Sequence, residues 1–526
     1  IQTENTVLIK ATFGQTLIFG LTMLWFARLI EERKFKFMPA EFNLPLVVLT
    51  LGCVLSLALS PFKYYSLMEI AHFLSYFLSV WLIYNNVRTR FEFNVLLWSF
   101  VAATVYSVVY AIMQKLGMDP IEWGMPVFIS TFGNANFFSA FLMCSLPTML
   151  GMCCAFRSVL VRIGVGFWLV LGIWCLYVAE TRSAWLGFFA GIFVFICAQM
   201  LWGRLNKTLA GAIKISMLVC IVLVALFAVS QHLIYTGKLI IPADYPKLME
   251  LTSMFKVTYG TEGGTNQVRL VMWMGAAKMW AEKPLLGQSI GTFRLMFPRY
   301  RPSYYSRWGV SHNTDYPHNE YVGTAADQGM LGLLLFGWFW WTFVHSMGRG
   351  IKREQNWYWQ QMMIGLLCAF VAHMGDNATS PHLRWPATAV AAYFVIGMGF
   401  VALRLATNAM PAKPRAFPLT LNYNPLKYIA YGVLTAVFCF AMFLELRVYR
   451  GELLMKQGEN ILNDPSSPMN ADRYNAAKDY FLQSLASNPY NHSVLYKLAY
   501  INLQLTKTDA ALATYQQLMA IAPHYA

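Results

Sequence analysis

Apolar stretches long enough to carry a helix across a hydrocarbon core, about 18 to 25 residues each, recur along most of this chain and leave it few folds to choose from. They are read at 6–30, 43–61, 64–84, 93–117, 135–156, 159–179, 182–202, 210–230, 328–347, 358–375, 384–405 and 425–447, about twelve spans in all. The expected class is an all-α polytopic membrane bundle. With 57% hydrophobic and only 12% charged residues, the chain is far more apolar than a soluble domain needs for its core.

The formal charge of +15 would suit nucleic acid if it lined one face, but Lys and Arg fall in small clusters between apolar runs. Every second connection carries them: Arg33, Lys34 and Lys36; Arg88 and Arg90; Arg157 and Arg162; Arg204 and Lys207; Arg349, Lys352 and Arg353; Arg404, Lys413 and Arg415. Cytoplasmic loops are enriched in this way, and the basic residues of the long segment 231–327 do not break the alternation, because long loops translocate largely regardless of charge. Nucleic acid is therefore excluded as a partner. Both ends of the chain are expected outside, the N-terminal one either natively so or following a further helix before Ile1, the reading placed first. All nine cysteines (Cys53, Cys144, Cys153, Cys154, Cys175, Cys197, Cys220, Cys368 and Cys439) lie within apolar stretches, so no disulfide framework, zinc site or other cofactor is assigned.

From about 450 the composition shifts to Tyr, Asn, Ala, Gln and Lys. Ala477 and Ala511, Ala486 and Ala520, Phe481 and Tyr515, and Pro489 and Pro523 each recur about 34 residues apart, the period of tetratricopeptide helical hairpins. The expected organisation is a membrane domain over 1–447 containing a large outer loop at 231–327, then helical repeats on the same side over 450–526. Such a tail would dock on the membrane domain, and it would bind a protein partner or position an acceptor.

Charged groups at membrane depth are costly and usually have a task. The outer-side candidates are Asn134 and Asn136 in TFGNANFFSAFL, Glu180 and Arg182 in ETRSAWLGFFAG, Arg269 in QVRLVMWMGAAKMW and His318 in YPHNEYVGTAADQGMLGLLLF. Each has an ordinary reading: an arginine that snorkels to the interface or is solvated on a loop helix, asparagines that cap the helix that follows, a boundary histidine. Glu180 and Asp327 are either helix-end charges or partners for the arginines. Together, two guanidiniums and an imidazole suit a sugar diphosphate. Guanidinium pairs bidentately with phosphate oxygens and stabilises the charge of a departing phosphate, while His318 takes a proton from an acceptor hydroxyl. Trp273, Trp280, Phe293, Phe297 and Trp308 in the loop would either lie at headgroup level or pack onto the bundle, and the loop would cover a cavity with room for a lipid tail.

In combination, GNANFFSAFL, TRSAWLGFFAG, RLVMWMGAAKMWAEKPLLGQSIGTF and HNEYVGTAADQGMLGLLLF, spread over about 130–347, resemble the O-antigen ligase and polymerase superfamily of bacterial membrane glycan transferases. The resemblance implies a GT-C-like bundle in the bacterial inner membrane. It also implies a metal-independent, inverting transfer from an undecaprenyl-diphosphate-linked glycan on the periplasmic face. Arg182 and Arg269 look like the diphosphate-binding arginines and His318 like the essential loop histidine, with Asn319 and Tyr321 fixing its orientation. Thr181 stands where a Ser usually precedes the arginine, Ser289 replaces a frequent Gly, and Asp327 replaces a usual Glu.

The acceptor is left open between a lipid A core sugar, a growing glycan and a protein hydroxyl, with the ligase-type reaction placed first. The rival from another class is a transporter or flippase of lipid-linked glycans, disfavoured because no similar halves with interrupted helices appear. A scaffold that only recruits partners through its tail would tolerate loss of Arg182 and His318.

Overall fold

The computed structural model describes residues 2–119, 121, 128–202, 265–303, 305, 314–406, 415–418, 424–466 and 468–525. The apolar stretches fold as helices α1 (Gln2–Glu31), α2 (Asn43–Leu59), α3 (Lys63–Asn86), α4 (Arg90–Lys115), α5 (Ala135–Ala155), α6 (Val159–Val178) and α7 (Arg182–Leu201). After two shorter helices, α8 (Thr265–Glu282) and α9 (Phe293–Tyr300), come α10 (Glu320–Arg353), α11 (Trp357–Asp376), α12 (Pro386–Ala406) and α13 (Asn424–Leu462). Eleven of the twelve expected stretches fall on these helices; the one at 210–230 lies outside the described residues. Nine of the described helices are long and apolar enough to cross a membrane.

The two that are not have physical reasons. Helix α2 is only 17 residues long. Helix α11 buries Gln360, Gln361, His373 and Asp376 because α5 and α7 enclose it, so it has no need of a lipid-compatible surface. Glycines set the approach: a Cβ on Gly151 of α5 would fall 2.7 Å from the Gly365 Cα of α11, a spacing only Gly–Gly crossings allow.

The two ends of the bundle differ in character. At one, the basic connections gather: Arg349 pairs with Glu41, Arg404 donates to the carbonyls of Tyr84 and Val87, and Arg90 lies 3.7 Å from the Tyr358 ring centre. Trp357 donates to the Cys154 carbonyl there at 2.7 Å. A two-stranded antiparallel ribbon, β1 (Lys34–Phe37) with β2 (Arg415–Pro418), closes this end. The sequence reading did not contain it, since a four-residue strand becomes visible only when its distant partner satisfies its amides.

Helix α13 passes through the expected boundary at 447. It runs 39 residues without a break, about 58 Å at 1.5 Å per residue, so the span leaves the membrane as the first helix of the tail. Composition changes near 450 while the backbone does not, because it is the surroundings of the helix that change. Its outer part packs on α14 (Ala471–Ser487), followed by α15 (His492–Gln504) and α16 (Thr508–Ile521). Ala477 and Ala511, the matched small residues, are both buried, and Ser484 donates to the Gly451 carbonyl at 2.7 Å. The tail folds back onto the membrane part. Leu495, Leu518 and Ala522 pack around Leu295 of α9, Arg294 donates to Ser493 at 3.1 Å, and Tyr64 stacks on Tyr490 at 4.9 Å between ring centres.

Opposite the basic end, one buried cation ties three elements together. Arg384, in the turn before α12, donates to Glu320 at 3.0 Å and to Asp327 at 2.5 Å, and it stands 3.8 Å from Glu69 of α3. All four side chains are buried. Asp327, expected as a partner for Arg182 or Arg269 or as a helix-end charge, serves this third arginine. Removing one partner of a buried ion pair typically costs about 3–5 kcal/mol, because the others are left uncompensated. Arg384→Met should therefore lower the thermal midpoint in detergent far more than Arg349→Met at the exposed Glu41 pair, and equal effects would show that the cluster does not hold the fold.

Candidate functional site

His318 sits in a left-handed turn (φ 53°) immediately before α10, a conformation uncommon for any residue but Gly and sustained only by its surroundings. Those surroundings are specific. Asn319 caps α10 by accepting from the Val322 amide at 3.0 Å, and the Glu320 amide donates to the Asn377 carbonyl at 3.0 Å. Trp273 of α8 donates its indole N–H to the Pro317 carbonyl at 2.8 Å. Tyr321 reaches across to the Met374 carbonyl of α11 at 2.9 Å. The imidazole is held in place by the residues on both sides of it. Burial, and then the nearby Arg269 charge, push its pKa down to about 4 against the opposing pull of Asp315.

Arg182 opens α7 just after another left-handed residue, Glu180 (φ 53°), and Thr181 between them is buried and donates to Ser139 of α5 at 2.7 Å. The Thr in place of Ser keeps the hydroxyl that anchors this turn. Arg269 projects from α8. Burial lowers its pKa from the ordinary guanidinium value, the Asp376 carboxylate opposes that shift, and the charge of Arg182 adds to it. Arg182 and His318 are thus both within electrostatic reach of Arg269. The fold brings together three residues separated by up to 136 positions in sequence (318 − 182 = 136).

The segment after α8 explains how this loop is fixed over the spans. Helix α10 is interrupted at Gly329 (φ 65°), which frees backbone groups that must find partners at a membrane surface. Residues 284–289 supply them: Gln288 N to Ala326 O at 2.9 Å, Ser289 N to Asp327 O at 2.7 Å and Met330 N to Pro284 O at 2.8 Å. A Cβ at Gly287 or Gly329 would overlap the opposing backbone. Ser289 keeps a Gly-like backbone at φ 96°. Phe293 and Phe297, fully buried and stacked at 5.1 Å, form a core with Met272 and Met279. These two loop aromatics pack inward; Trp308 is outside the described residues.

His318 also lines a cavity of about 640 Å³ that runs to the tail. Asn134 and Asn136 line it too, and Asn134 is the N-cap of α5, accepting from the Asn136 amide at 2.8 Å. Asn319, Tyr321 and Glu180 do not. The first two support the His318 turn, and Glu180 stands exposed.

Several residues here were absent from the sequence reading. His382 lines the cavity, with Nε2 3.3 Å from the Asp376 carboxylate. Burial, reinforced by His373, His318 and Arg269 nearby, holds its pKa well below the ordinary value. Arg384 lies over the Tyr316 ring at 5.2 Å, and Tyr316 donates to Glu69 at 3.3 Å. The available signal was the cost of charge at membrane depth. Applied to every span, it singles out Glu69 inside 64–84, His373 and Asp376 at the end of 358–375, and Arg384 at the start of 384–405.

Among the described residues, no group of three or more His, Cys, Asp or Glu is arranged to hold a metal ion. The site offers two cations, an imidazole and, on one side of that imidazole, a cavity lined by polar and apolar side chains. No curated relative matches the chain. Residues 167–337 match the family model described as O-Antigen ligase, an interval that contains Arg182, Arg269 and His318, so this region of the chain is similar to the O-antigen ligase family.

Proposed function

We propose that the protein transfers a glycan from an undecaprenyl-diphosphate-linked donor to an acceptor hydroxyl at the periplasmic face of the bacterial inner membrane. The observation that carries this reading is the convergence of Arg182 and Arg269 with a neutral His318 at one end of the bundle. The gathering of the basic connections at the opposite end supports the orientation, since such clusters mark the cytoplasmic side.

Two guanidiniums close enough to disfavour each other's charge are best satisfied by an anion between them. A diphosphate offers oxygens to both forks. In the reaction, His318 accepts the proton of the acceptor hydroxyl, and the freed oxygen pair bonds the anomeric carbon of the donor sugar. The bond from that carbon to the diphosphate oxygen breaks, and undecaprenyl diphosphate departs with the electron pair. Arg182 and Arg269 stabilise the charge that grows on the leaving oxygen. Attack opposite the leaving group inverts the anomeric centre, and the proton on His318 passes to solvent. A ligase-type acceptor stands first; a polymerase or a protein O-oligosaccharyltransferase of the same superfamily uses the same steps.

Purified protein given undecaprenyl-diphosphate oligosaccharide and an acceptor should yield glycosylated product and free lipid diphosphate. His318→Ala and Arg269→Ala should each lower turnover by about a hundredfold or more, the scale of a lost transition-state contact, while inserting and folding normally. Unchanged turnover in His318→Ala would remove the assigned base, and a protein that moves the intact donor without cleaving it would be the transporter of the rival reading. Added chelator should leave the rate unchanged, whereas loss of activity that a divalent metal restores would contradict a metal-independent transfer.

The base must be neutral, and the neutral fraction grows as pH rises through the pKa. Because burial and Arg269 lower that pKa to about 4, kcat/KM should be flat through neutrality and fall only in strongly acidic buffer. An acid limb near the ordinary histidine value of about 6.5 would show that His318 is not the titrating group.

A further inference from the structure

We infer that the C-terminal helical tail builds the far wall of the acceptor subsite, and that this subsite binds the sugar end of a glycan acceptor. The inference rests on the glycan-transfer reading above and adds where the acceptor lies and what it is made of.

The geometry comes first. The cavity that reaches His318 is lined on its inner side by Asn134, His382 and Trp385 and on its outer side by Tyr490, Glu459 and Lys497. The first group belongs to the membrane part and the second to the tail, so the space exists only because the tail folds back. Neither Arg182 nor Arg269 lines it, although Arg269 acts on His318 electrostatically. His318 thus faces the cavity, and the two arginines do not. In an inverting displacement the base sits beside the nucleophile, on the face of the anomeric carbon away from the leaving group, which makes the cavity that His318 lines the nucleophile's side.

The lining chemistry identifies the occupant. Sugars present apolar C–H faces and a rim of hydroxyls, and they are recognised by aromatic faces together with side chains that both donate and accept. Tyr64, Tyr490 and Trp385 supply the first, with Tyr490 49% exposed. Asn134, Asn136 and Asn488 supply donors and acceptors in one group, and the Lys497–Glu459 pair adds a charged rim. A lipid chain would need a continuous aliphatic wall, whereas Ala11, Met68, Val448 and Met455 share this lining with amides and charges. A peptide bound by strand addition would need a sheet edge, and the described lining contains none. The volume, about 640 Å³, falls within the range of about 300–1,000 Å³ usual for small-molecule sites.

The tail is held firmly enough to serve as a wall. The Tyr65 hydroxyl lies 2.5 Å from both His492 Nδ1 and the Tyr490 carbonyl oxygen, Arg294 bridges to Ser493, and α13 connects the wall to the membrane as one helix.

The test titrates the full chain in detergent with a soluble core oligosaccharide released from lipopolysaccharide and, in parallel, with a serine-rich peptide, reading tryptophan fluorescence and calorimetry. The oligosaccharide should bind and the peptide should not. Tyr490→Ala and Lys497→Gln should each weaken oligosaccharide binding, Tyr490→Ala by about tenfold, as for loss of an aromatic anchor, with unchanged thermal midpoints. In the transfer assay the same variants should raise the acceptor KM while leaving the donor KM and kcat near their original values. His318→Ala should still bind the oligosaccharide while losing turnover, which separates this subsite from the base assignment. Unchanged acceptor affinity in both tail variants, or binding of the peptide in place of the oligosaccharide, would overturn the inference even if His318→Ala is inactive. Should Tyr490→Ala unfold, Lys497→Gln at the cavity rim decides alone.

Discussion

A cation with nowhere else to go organises the end of this bundle opposite the basic connections. Arg384 is buried with Glu69, Glu320 and Asp327, and in so dry a place a guanidinium is tolerable only where fixed carboxylates surround it. The demand is mutual, since three carboxylates are equally costly without the cation. The result is one spatial arrangement of α3, the start of α10 and the turn before α12. Glu320 is the first residue of α10, two positions after His318, so the same cluster fixes the turn that aims the imidazole. Asn377, which accepts from the Glu320 amide, also accepts from the Leu383 amide at 3.1 Å, tying the His318 turn to the turn that carries Arg384.

The electrostatics of the candidate site follow from that fixed frame. Burial and Arg269 keep His318 neutral, and Arg182 and Arg269 remain cations because guanidinium does not lose its proton in proteins. A neutral base beside two permanent positive charges is a stable assignment of roles over a broad pH range. It differs from paired carboxylates, where acid and base are distinguished only by a divided titration. The arginines cannot serve as the base, and the imidazole adds little charge to what they hold.

The parts legible in the sequence were those written in short contiguous words. Spans announce themselves because a lipid-facing helix is apolar along its whole length, and Arg182, Arg269 and His318 stand in local patterns that can be read one at a time. What escaped was encoded by distant pairings. Arg384 looks like a boundary residue until Glu69, 315 positions earlier (384 − 69 = 315), is seen beside it. The β1–β2 ribbon joins residues about as far apart. Helix α11 read as one more span, and its polar residues Gln360, Gln361, His373 and Asp376 are the local sign that α5 and α7 enclose it. Near 447 the opposite holds: composition changes there, and the helix does not.

That unbroken helix bears on how such a protein can hold an acceptor. A tail joined by a flexible linker would have to lose that freedom each time it covered the site, an ordering cost charged against every binding event. Helix α13 removes most of it in advance. It extends past the bundle as one helix, Gly451 and Gly458 let α14 pack closely against it, and α15 then returns to Tyr65 and Arg294. The wall stands before any substrate arrives. Two parts of the chain that look independent by composition are, by backbone continuity and packing, one enclosure around the same histidine.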